Sequence, residues 1–414
     1  MQDKYKERLL EELNRQKAEA RRVQEEKNKK IKTAILLGFL LIVAAAGGFI
    51  AFKLLSKPKA DADNSTANGE PIDDIEPPWD GDGSINYAAD PDATPTDVAS
   101  PTEPVEKDFT IDMTFVGDCC MATNLENNSY GTLLWYESNA PTTYFFDGVR
   151  SYFEDDDITI ANCENTFSDR AASPRDKGEG TNYWFKSPAS FASVFSDNSI
   201  EAVTINNNHT NDYGPEVFED TKAALDAAGV EWGFRDKIIY YEEEGFTVGV
   251  VCVSFYYYEE AEGIVPYLDI AKENSDFQII YFHGGMEGEY NPEPWKQDAC
   301  HMLIDNGADL ILGAHPHVLQ KTENYSGCDI VYSLGNFCFG GNDHPGSNRT
   351  IIYKYQLSIH SVDGECEITA KTPTIIPCYV YTGGTNNWQP AVIDDEETAS
   401  IVTKFMNGEC DRPQ

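Results

Sequence analysis

Basic side chains are scarce in this sequence, which has 31 lysines and arginines against 70 aspartates and glutamates. The formal net charge of −39 argues against nucleic acid as a partner, because phosphate binding requires basic patches. Residues 1–32 contain eleven basic and seven acidic residues, whereas the chain beyond Phe52 contains 20 basic and 63 acidic residues. The sequence therefore divides into a short basic part and a long, strongly acidic part.

A regular cysteine framework is also absent, although ten cysteines lie between Cys119 and Cys410. No Cys-x-x-Cys pair occurs, which argues against a structural zinc ribbon. An oxidising exterior would permit disulfides. However, Cys163, Cys252 and Cys338 lie inside apolar, strand-like runs. We therefore expect these cysteines to be buried as small hydrophobic side chains.

Charged residues are missing from Thr33 to Phe52, a run of 20 residues. A helix of that length, at about 1.5 Å per residue, spans the roughly 30 Å hydrocarbon core of a bilayer. The sequence therefore predicts a single transmembrane helix over residues 33–55. A buried soluble helix and a cleaved signal peptide are the alternatives, but a signal peptide has a shorter apolar region and a small-residue cleavage site.

The residues on either side of this run set its orientation. Residues 1–32 form a basic, helix-like tail, and lysine-rich flanks mark the cytoplasmic side of a membrane. Residues 56–107 contain eight prolines and thirteen acidic residues, which predicts a disordered acidic linker. The sequence thus predicts a bacterial cell-membrane protein with a cytoplasmic N-terminus and an extracellular domain over residues 108–414.

Apolar, strand-like runs alternate with helix-like stretches in this domain. The predicted strands are Phe109–Val116, Ile158–Ala161, Ala202–Ile205, Thr247–Ser254, Phe277–Phe282, Asp309–Leu312 and Ile330–Leu334. The predicted helices cover about residues 145–154, 188–197, 215–228, 266–274 and 294–306. This alternation predicts an α/β domain with partly parallel sheets. The tail from Thr350 is predicted to be rich in strands, with few helix signals.

Polar residues with metal-binding chemistry follow five of these strands, and ligands bind at the carboxyl ends of strands in such folds. The residues are Asp118, Glu164, Asn208 with His209, His283, and His315 with His317. Four of the seven histidines of the chain are among them. Taken singly, each has a structural explanation, such as a helix cap or a turn. Together they form a ligand set for manganese, iron or zinc, and such a set can hold two ions about 4 Å apart.

The motifs around these residues are specific and cover about residues 109–340. In chain order they are Gly117-Asp118, Asn162-Cys163-Glu164, Asn207-Asn208-His209 with Asp212-Tyr213-Gly214, His283 to Tyr290, Gly307-Ala308-Asp309 to Gln320, and Tyr332-Ser333-Leu334-Gly335-Asn336-Phe337. They resemble the motifs of the bacterial CapA (PgsA) family of poly-γ-glutamate capsule synthesis, in the calcineurin-like metallophosphatase superfamily. The resemblance implies a four-layer α/β/β/α metallophosphatase-like sandwich.

The resemblance also implies a division of the ligands between two divalent metal ions. Asp118 and His317 would hold one ion. Asn208, His283 and His315 would hold the other. The identity of the ions, whether manganese, iron or zinc, is left open by the residues.

Further roles follow from the same resemblance. Glu164 occupies the position of the bridging carboxylate. His209 would protonate the leaving group or contact the transition state, and Asp212 is carried over as a second catalytic residue. The backbone amides of Gly284 and Gly285 would approach an oxyanion closely, because no side chain intrudes.

The sequence departs from the family pattern at a few positions. Cys120 stands where the superfamily has a histidine, and we expect it to be packed rather than to bind metal. Glu164 is one methylene longer than the usual aspartate. Two glutamates, Glu287 and Glu289, lie where the family has one, and Glu289 is favoured as its counterpart because it precedes the tyrosine.

Three functions fit these features. The first is a metal-dependent hydrolase or transferase outside the membrane, acting on a phosphoester or on an amide in an acidic polymer. The second is a non-catalytic accessory subunit of a capsule synthase complex that makes or exports poly-γ-glutamate. The third is a surface phosphoesterase or nucleotidase. Because the domain is so acidic, any binding of polyglutamate has to be local and mediated by metal.

Overall fold

A computed structural model describes residues 104–414. The predicted cytoplasmic tail, the predicted transmembrane helix and all but the last four residues of the predicted linker lie outside the described residues. Over residues 104–414, none of the helices has the length and apolar character needed to cross a bilayer. The first strand begins at Glu106, two residues before the predicted start of the domain.

Strands contain more of the described residues than helices do. They are β1 (Glu106–Cys120), β2 (Thr123–Asn124), β3 (Ile158–Cys163), β4 (Thr166–Phe167), β5 (Phe185–Ser187), β6 (Ala202–Thr204), β7 (Glu231–Gly233), β8 (Ile239–Glu243), β9 (Phe246–Ser254), β10 (Phe277–His283), β11 (Leu310–Ala314), β12 (Leu319–Tyr325), β13 (Cys328–Leu334), β14 (Asn336–Phe339), β15 (Arg349–Val362), β16 (Glu365–Tyr379) and β17 (Ala391–Val392).

These strands form two large sheets and a small one. The eight-stranded sheet has the order β17-β16-β15-β1-β3-β6-β7, and β14 also pairs with β1. Within it, β1, β3, β6 and β7 are parallel, whereas β15 and β16 are antiparallel additions. The six-stranded sheet has the order β12-β13-β11-β10-β9-β8, with four parallel strands between antiparallel edges. The partly parallel α/β arrangement predicted from the sequence is confirmed.

Helices connect many of the parallel strands. They are α1 (Leu133–Asn139), α2 (Ser151–Glu154), α3 (Ser193–Ser196), α4 (Pro215–Ala228), α5 (Tyr258–Glu262), α6 (Val265–Asn274), α7 (Pro294–Asp305) and α8 (Glu396–Met406), with short 3₁₀ helices at Thr142–Tyr144 and Ala189–Ala192.

Alternating side chains place one apolar cluster between the two large sheets. In β10, Ile279 and Tyr281 belong to this central cluster, which also contains Phe115 of β1. Ile280 and Phe282 point to the opposite face of the same strand and pack with residues of α6 and α7. The period of two residues in a strand accounts for this division.

The outer face of the eight-stranded sheet is covered in the same way. Val203 of β6 packs with Phe153 of α2, Val194 of α3 and Leu225 of α4. Each large sheet therefore has one face on the central cluster and the other face under helices. At about 25 cal/mol for each square ångström of apolar surface buried, burial on both faces supplies the main stabilising free energy of such a domain.

Some helices agree with their predicted bounds and others do not. Helix α4 spans the predicted residues 215–228, because Pro215 starts it and Gly229 ends it in the left-handed conformation, with φ 72°. The predicted helix over 145–154 is only the single turn of α2. Helix α8 was missed: its N-cap Asp395 accepts a hydrogen bond from the Thr398 amide.

Candidate metal centre

The carboxyl ends of parallel strands from both large sheets carry the predicted site residues. Asp118 lies near the end of β1, next to Asn162 of β3 and Asn336 of β14. His283 is the last residue of β10, and its neighbour in β11 is Ala314, directly before His315. The two sheets thus bring residues that are far apart in sequence to one edge of the domain.

Glu164 lies at the centre of this group. Its side chain is fully buried, and neither carboxylate oxygen has a hydrogen-bond partner among the described residues. Three imidazole Nε2 atoms surround its Oε1 atom: His209 at 3.7 Å, His283 at 3.8 Å and His317 at 3.7 Å. These distances are too long for hydrogen bonds. The His283 and His317 distances suit side chains that each share an ion with Glu164, because atoms about 2.0–2.2 Å from one ion lie roughly 3–4 Å apart.

The electrostatics of Glu164 point the same way. Burial raises its pKa well above the usual range, and the carboxylates of Asp118 and Glu287 raise it further, while His317 acts in the opposite direction. An unpaired buried carboxylate costs several kcal/mol unless it is protonated or meets a cation. The residues around Glu164 therefore fit a bound cation.

Ligand atoms converge in two groups that share Glu164. One group contains Asp118, Glu164 and His317, and the other contains Glu164, His283 and His315; within each group the atoms lie within 4.8 Å of one another. This division matches the one that the family resemblance implies.

Asn208 joins the second group. Its Oδ1 atom lies 2.8 Å from His283 Nε2. The structure therefore brings together all six predicted metal residues, and their role as ligands remains a prediction. Carboxylate, amide and imidazole donors are the chemistry that manganese, iron and zinc accept.

Two asparagines orient these ligands, a role that the sequence analysis did not give them. Asn162 donates a hydrogen bond to Asp118 Oδ1 at 2.7 Å, and its amide nitrogen lies 3.1 Å from His283 Nδ1. Asn336 Oδ1 lies 2.9 Å from His317 Nδ1. His317 thus donates its Nδ1–H to Asn336 and directs Nε2 at Glu164, as metal-binding histidines require. His283 Nδ1 instead accepts from the Asn162 amide group, so in the metal-free protein its Nε2–H donates to Asn208 Oδ1. The motifs contained a signal for this role, because Asn162 follows the predicted strand Ile158–Ala161 and Asn336 starts β14.

The backbone at the His-Pro-His turn is strained. His315 has φ 97° and His317 has φ 57°, and residues other than glycine rarely adopt such values. The His315 amide donates a hydrogen bond to Asp118 Oδ2 at 3.1 Å, which helps to hold the turn. Strain of this kind clusters at functional sites, where it fixes ligands in place.

The histidine pKa values diverge within the site. Burial lowers the pKa of His315 to about 3. Burial also lowers the pKa of His317, but the carboxylates of Glu164 and Asp118 overcome this effect and raise it to about 10. Burial also lowers the pKa of His283 and of His209, so His317 is the one imidazole of the four whose pKa is raised, and a bound cation would replace its proton.

Glu287, and not Glu289, belongs to the cluster. A carboxylate oxygen of Glu287 groups with His315 and His317, all within 4.8 Å of one another. Glu289 is exposed, and its carbonyl accepts a hydrogen bond from Gln320 at 2.7 Å. The turn after His283 thus directs Glu287, and not Glu289, towards the histidines, and which of the two is the counterpart of the family's glutamate stays a prediction.

The expected oxyanion role does not hold for the Gly284 amide, and for the Gly285 amide it stays a prediction. The Gly284 amide already donates a hydrogen bond to the Ala314 carbonyl at 3.0 Å. The missing side chain of Gly284 serves close packing instead, because an added Cβ atom would lie 1.8 Å from the Phe255 carbonyl oxygen. Gly285 has φ 112°, and the space beside it is filled by the buried ammonium group of Lys296.

We predict that Gly284→Ala disrupts the site. The added methyl group would force the ends of β9 and β10 apart and shift His283. We expect a loss of about 1–3 kcal/mol in the free energy of unfolding, together with weaker metal binding. Thermal unfolding and metal analysis measure these effects. Gly346→Ala is the matched control, because its Cβ atom meets nothing within 4 Å; equal behaviour of the two variants would contradict the packing argument.

His209 and Asp212 form a buried pair beside the cluster. His209 Nδ1 lies 2.8 Å from Asp212 Oδ2. Asp212 also accepts a hydrogen bond from the Phe185 amide at 2.7 Å and pairs with Lys177. Burial lowers the pKa of His209 despite the nearby carboxylate of Asp212. This geometry directs the free Nε2 of His209 towards Glu164, as the predicted catalytic role requires.

The cluster opens to solvent through two adjoining depressions. Both contain Tyr183, His209 and Glu287 in their walls. One, of about 430 Å³, extends towards Arg175 and Lys177. The other, of about 500 Å³, is lined further by Asn124, Asn127, Phe339, Asn342 and His344. The candidate site therefore lies in an elongated cleft.

The cysteines contribute no ligand to the cluster. All ten have free thiols, and Cys163, Cys252 and Cys338 are buried as predicted. Cys120 packs with Ala122, Phe185 and Phe339. Its Sγ atom lies 3.7 Å from the Ala122 carbonyl. The expectation that Cys120 has a packing role is confirmed.

These observations define an α/β domain with a candidate centre for divalent metal ions at the carboxyl ends of its parallel strands. The family described as "Bacterial capsule synthesis protein PGA_cap" matches residues 112–341, which is more than half of the chain. The chain belongs to this family.

Two similar proteins support the assignment. The chain is 33% identical over 168 residues to "PGA biosynthesis protein CapA" of Bacillus subtilis (strain 168), covering 35% of this chain and 44% of that protein. It is 28% identical over 254 residues to "Capsule biosynthesis protein CapA" of Bacillus anthracis, covering 55% of this chain and 59% of that protein. The chain thus spans about half the length of these curated relatives.

Comparison with solved structures gives phosphatases at low scores. A "novel phosphatase" of Mycoplasma pneumoniae has 13% identity and a TM-score of 0.35, covering 65% of this chain and 94% of that chain. The "calcineurin-like phosphoesterase YfkN" of Bacillus subtilis has 14% identity and a TM-score of 0.36, covering 65% of this chain and 91% of that chain. At these scores the two similarities carry no weight for function.

Proposed function

We propose that the protein is a membrane-anchored, extracellular member of the capsule family that uses a dinuclear metal centre of hydrolase type in making or exporting poly-γ-glutamate. The observation that carries the proposal is the buried Glu164 carboxylate. It has no hydrogen-bond partner among the described residues and lies within 3.8 Å of three imidazole nitrogens. Two cations that share this carboxylate would satisfy both of its oxygens.

The fold supports the proposal. One apolar cluster lies between the large sheets, and one further cluster lies between each large sheet and its helices. This succession supports a four-layer α/β/β/α sandwich of the metallophosphatase type. Fold alone does not fix function, so the argument rests on the site.

The location of the protein is proposed from the sequence. An uncharged run at residues 33–52 with basic residues before it supports a single span with the N-terminus in the cytoplasm. The acidic linker would then hold the domain outside the cell, where the capsule is assembled. Capsule synthase subunits in the same membrane are the proposed partners.

The side chains of the site would divide the chemistry among them. Bound divalent ions would polarise the scissile group and provide hydroxide near neutral pH. Asp118, His317 and Glu164 would hold one ion, and Glu164, His283, His315 and Asn208 the other. His209 would exchange a proton with the leaving group at Nε2, because Asp212 engages its Nδ1 atom.

The cleft supports an extended, acidic substrate. Its two arms meet at His209 and Glu287, so a chain-like molecule could lie across the candidate centre. One arm carries Arg175 and Lys177, which is uncommon in so acidic a domain. Asp176, Asp212 and Glu287 line the same arm and Lys177 pairs with Asp212, so the local attraction that a polyanion needs would come mainly from the metal ions.

Turnover assays test the proposal. The purified full chain in detergent, loaded with manganese or zinc, is incubated with poly-γ-glutamate and, separately, with a chromogenic phosphodiester. We expect cleavage of at least one of these substrates, and loss of cleavage when the metal is removed with a chelator. Bound metal without any turnover would reject the hydrolase and favour the accessory-subunit function.

Deletion of the gene tests the role in capsule synthesis. We expect less poly-γ-glutamate on the surface of the source bacterium and recovery with the wild-type gene. A gene that encodes Glu164→Ala should not restore the polymer. Restoration by Glu164→Ala would show that the protein acts in the capsule without its metal centre.

A further inference from the structure

A sixth strand end reaches the candidate metal centre, and the sequence analysis did not include it. Strand β9 lies next to β10, and its last residue, Ser254, pairs with His283. The amide of the next residue, Phe255, donates a hydrogen bond to the His283 carbonyl at 3.2 Å. The chain that follows β9 therefore leaves the sheet at the edge of the candidate centre.

Tyr256 is the first residue beyond this attachment. Its ring packs edge-on against the His315 ring, with the centroids 5.2 Å apart and the planes at 87°. Its amide donates a hydrogen bond to Glu260 at 2.7 Å, which fixes the turn into α5. Tyr256 thus covers His315 at the edge of the cluster.

The hydroxyl group of Tyr256 is buried and has no hydrogen-bond partner among the described residues. Burial of an unpaired hydroxyl costs free energy, and such groups in folded proteins need an explanation. Burial raises the pKa of Tyr256, and the carboxylates of Glu164, Glu260 and Asp118 raise it further.

We propose that the Tyr256 hydroxyl donates a hydrogen bond to an oxygen of a tetrahedral oxyanion bound at the cluster, so that Tyr256 is a further catalytic residue. The inference rests on the proposed metal centre. Tyr256 packs on His315, whereas His209 follows β6 and directs its Nε2 atom at Glu164. The two side chains would therefore act on the bound anion from different positions. The anion that fits this site is phosphate or another small tetrahedral oxyanion.

Phosphate affinity tests the inference without relying on turnover. The full chain in detergent is loaded with manganese or zinc, and its affinity for inorganic phosphate is measured by calorimetry. We expect Tyr256→Phe to weaken phosphate binding by about 10- to 100-fold, the effect of losing one hydrogen bond to a charged group. The metal content should equal that of the wild type.

Two comparisons separate this role from a structural one. Tyr257→Phe is the matched control, because Tyr257 is 65% exposed; its phosphate affinity should be unchanged. The melting temperature of metal-free Tyr256→Phe should be equal to or above that of the wild type, because the variant removes an unpaired buried hydroxyl. A lower melting temperature would mean that the hydroxyl has a structural partner, and would overturn the inference.

The outcomes also distinguish the inference from the proposed function. If the wild type binds two ions and phosphate, and Tyr256→Phe binds phosphate equally well, the role of Tyr256 is rejected and the metal centre stands. If the wild type binds no metal, both are rejected.

Discussion

Glu164→Gln is expected to stabilise the metal-free protein and to destabilise the metal-loaded one. In the metal-free protein the variant removes a buried carboxylate that has no partner among the described residues. In the loaded protein it removes the oxygen ligand shared by the two groups of metal-binding residues. Saturating metal at about 100 times its dissociation constant adds about 2.7 kcal/mol to stability, and this gain should be lost.

The pH dependence of the metal-free protein gives a second readout. The pKa of Glu164 is raised in the folded state, so the folded protein keeps this proton to higher pH than the unfolded chain does. The stability that Glu164 contributes is therefore complete below its unfolded pKa of about 4.3 and is lost as pH rises. Glu164→Gln should flatten this part of the stability profile, measured by thermal unfolding across pH.

Glu289→Gln is the control for this experiment. Glu289 is an exposed carboxylate in the neighbouring turn and lies outside the candidate metal groups. Glu289→Gln should change neither the stability gained on adding metal nor the dependence of stability on pH. A lower stability of the metal-free protein in Glu164→Gln would contradict the claim that Glu164 is an unpaired carboxylate that binds a cation.

His209→Asn is expected to lower turnover by about 10²- to 10⁴-fold while the metal content is unchanged. His209 Nε2 faces Glu164, but its Nδ1 atom is engaged by Asp212 and the ring packs on Phe185 with the centroids 4.4 Å apart. The structure therefore suits His209 for proton exchange more than for holding an ion. Turnover of the chromogenic phosphodiester and metal analysis measure the two effects.

Asp212→Asn and His360→Asn complete the comparison. Asp212→Asn keeps the His209 imidazole but weakens the contact that sets its orientation. We therefore expect a smaller loss of turnover than in His209→Asn. His360 lies away from the cluster and pairs with the exposed Asp108. The turnover and the metal content of His360→Asn should therefore equal those of the wild type. Loss of metal from His209→Asn would show that His209 is a ligand.

The regular elements were predictable where local signals were strong. Strand β10 was predicted to within one residue, because Phe277 to Phe282 is apolar at every position except Gln278. Helix α4 was predicted at both ends from Pro215 and Gly229. Helix α8 was missed although Asp395 and its two following glutamates are a helix start, since it follows a long region of strands.

The residues of the candidate site were predictable as a set, but their contacts were not. Asp118 and His283 each lie at the end of a predicted strand, and the carboxyl ends of parallel strands meet at one edge of a sheet. The support from Asn336 depends on β14 pairing with β1, a contact between residues more than 200 positions apart. The choice between Glu287 and Glu289 depends on the direction of a turn, which neighbouring residues in sequence do not specify.

The most direct test of the dinuclear centre is the metal content of the purified full chain, measured by mass spectrometry beside an Asn208→Ala, His315→Ala double variant. The account predicts about two divalent ions per wild-type chain. The double variant should retain at most the ion held by Asp118, Glu164 and His317. A wild-type chain that binds no metal, even after incubation with manganese or zinc, would contradict it.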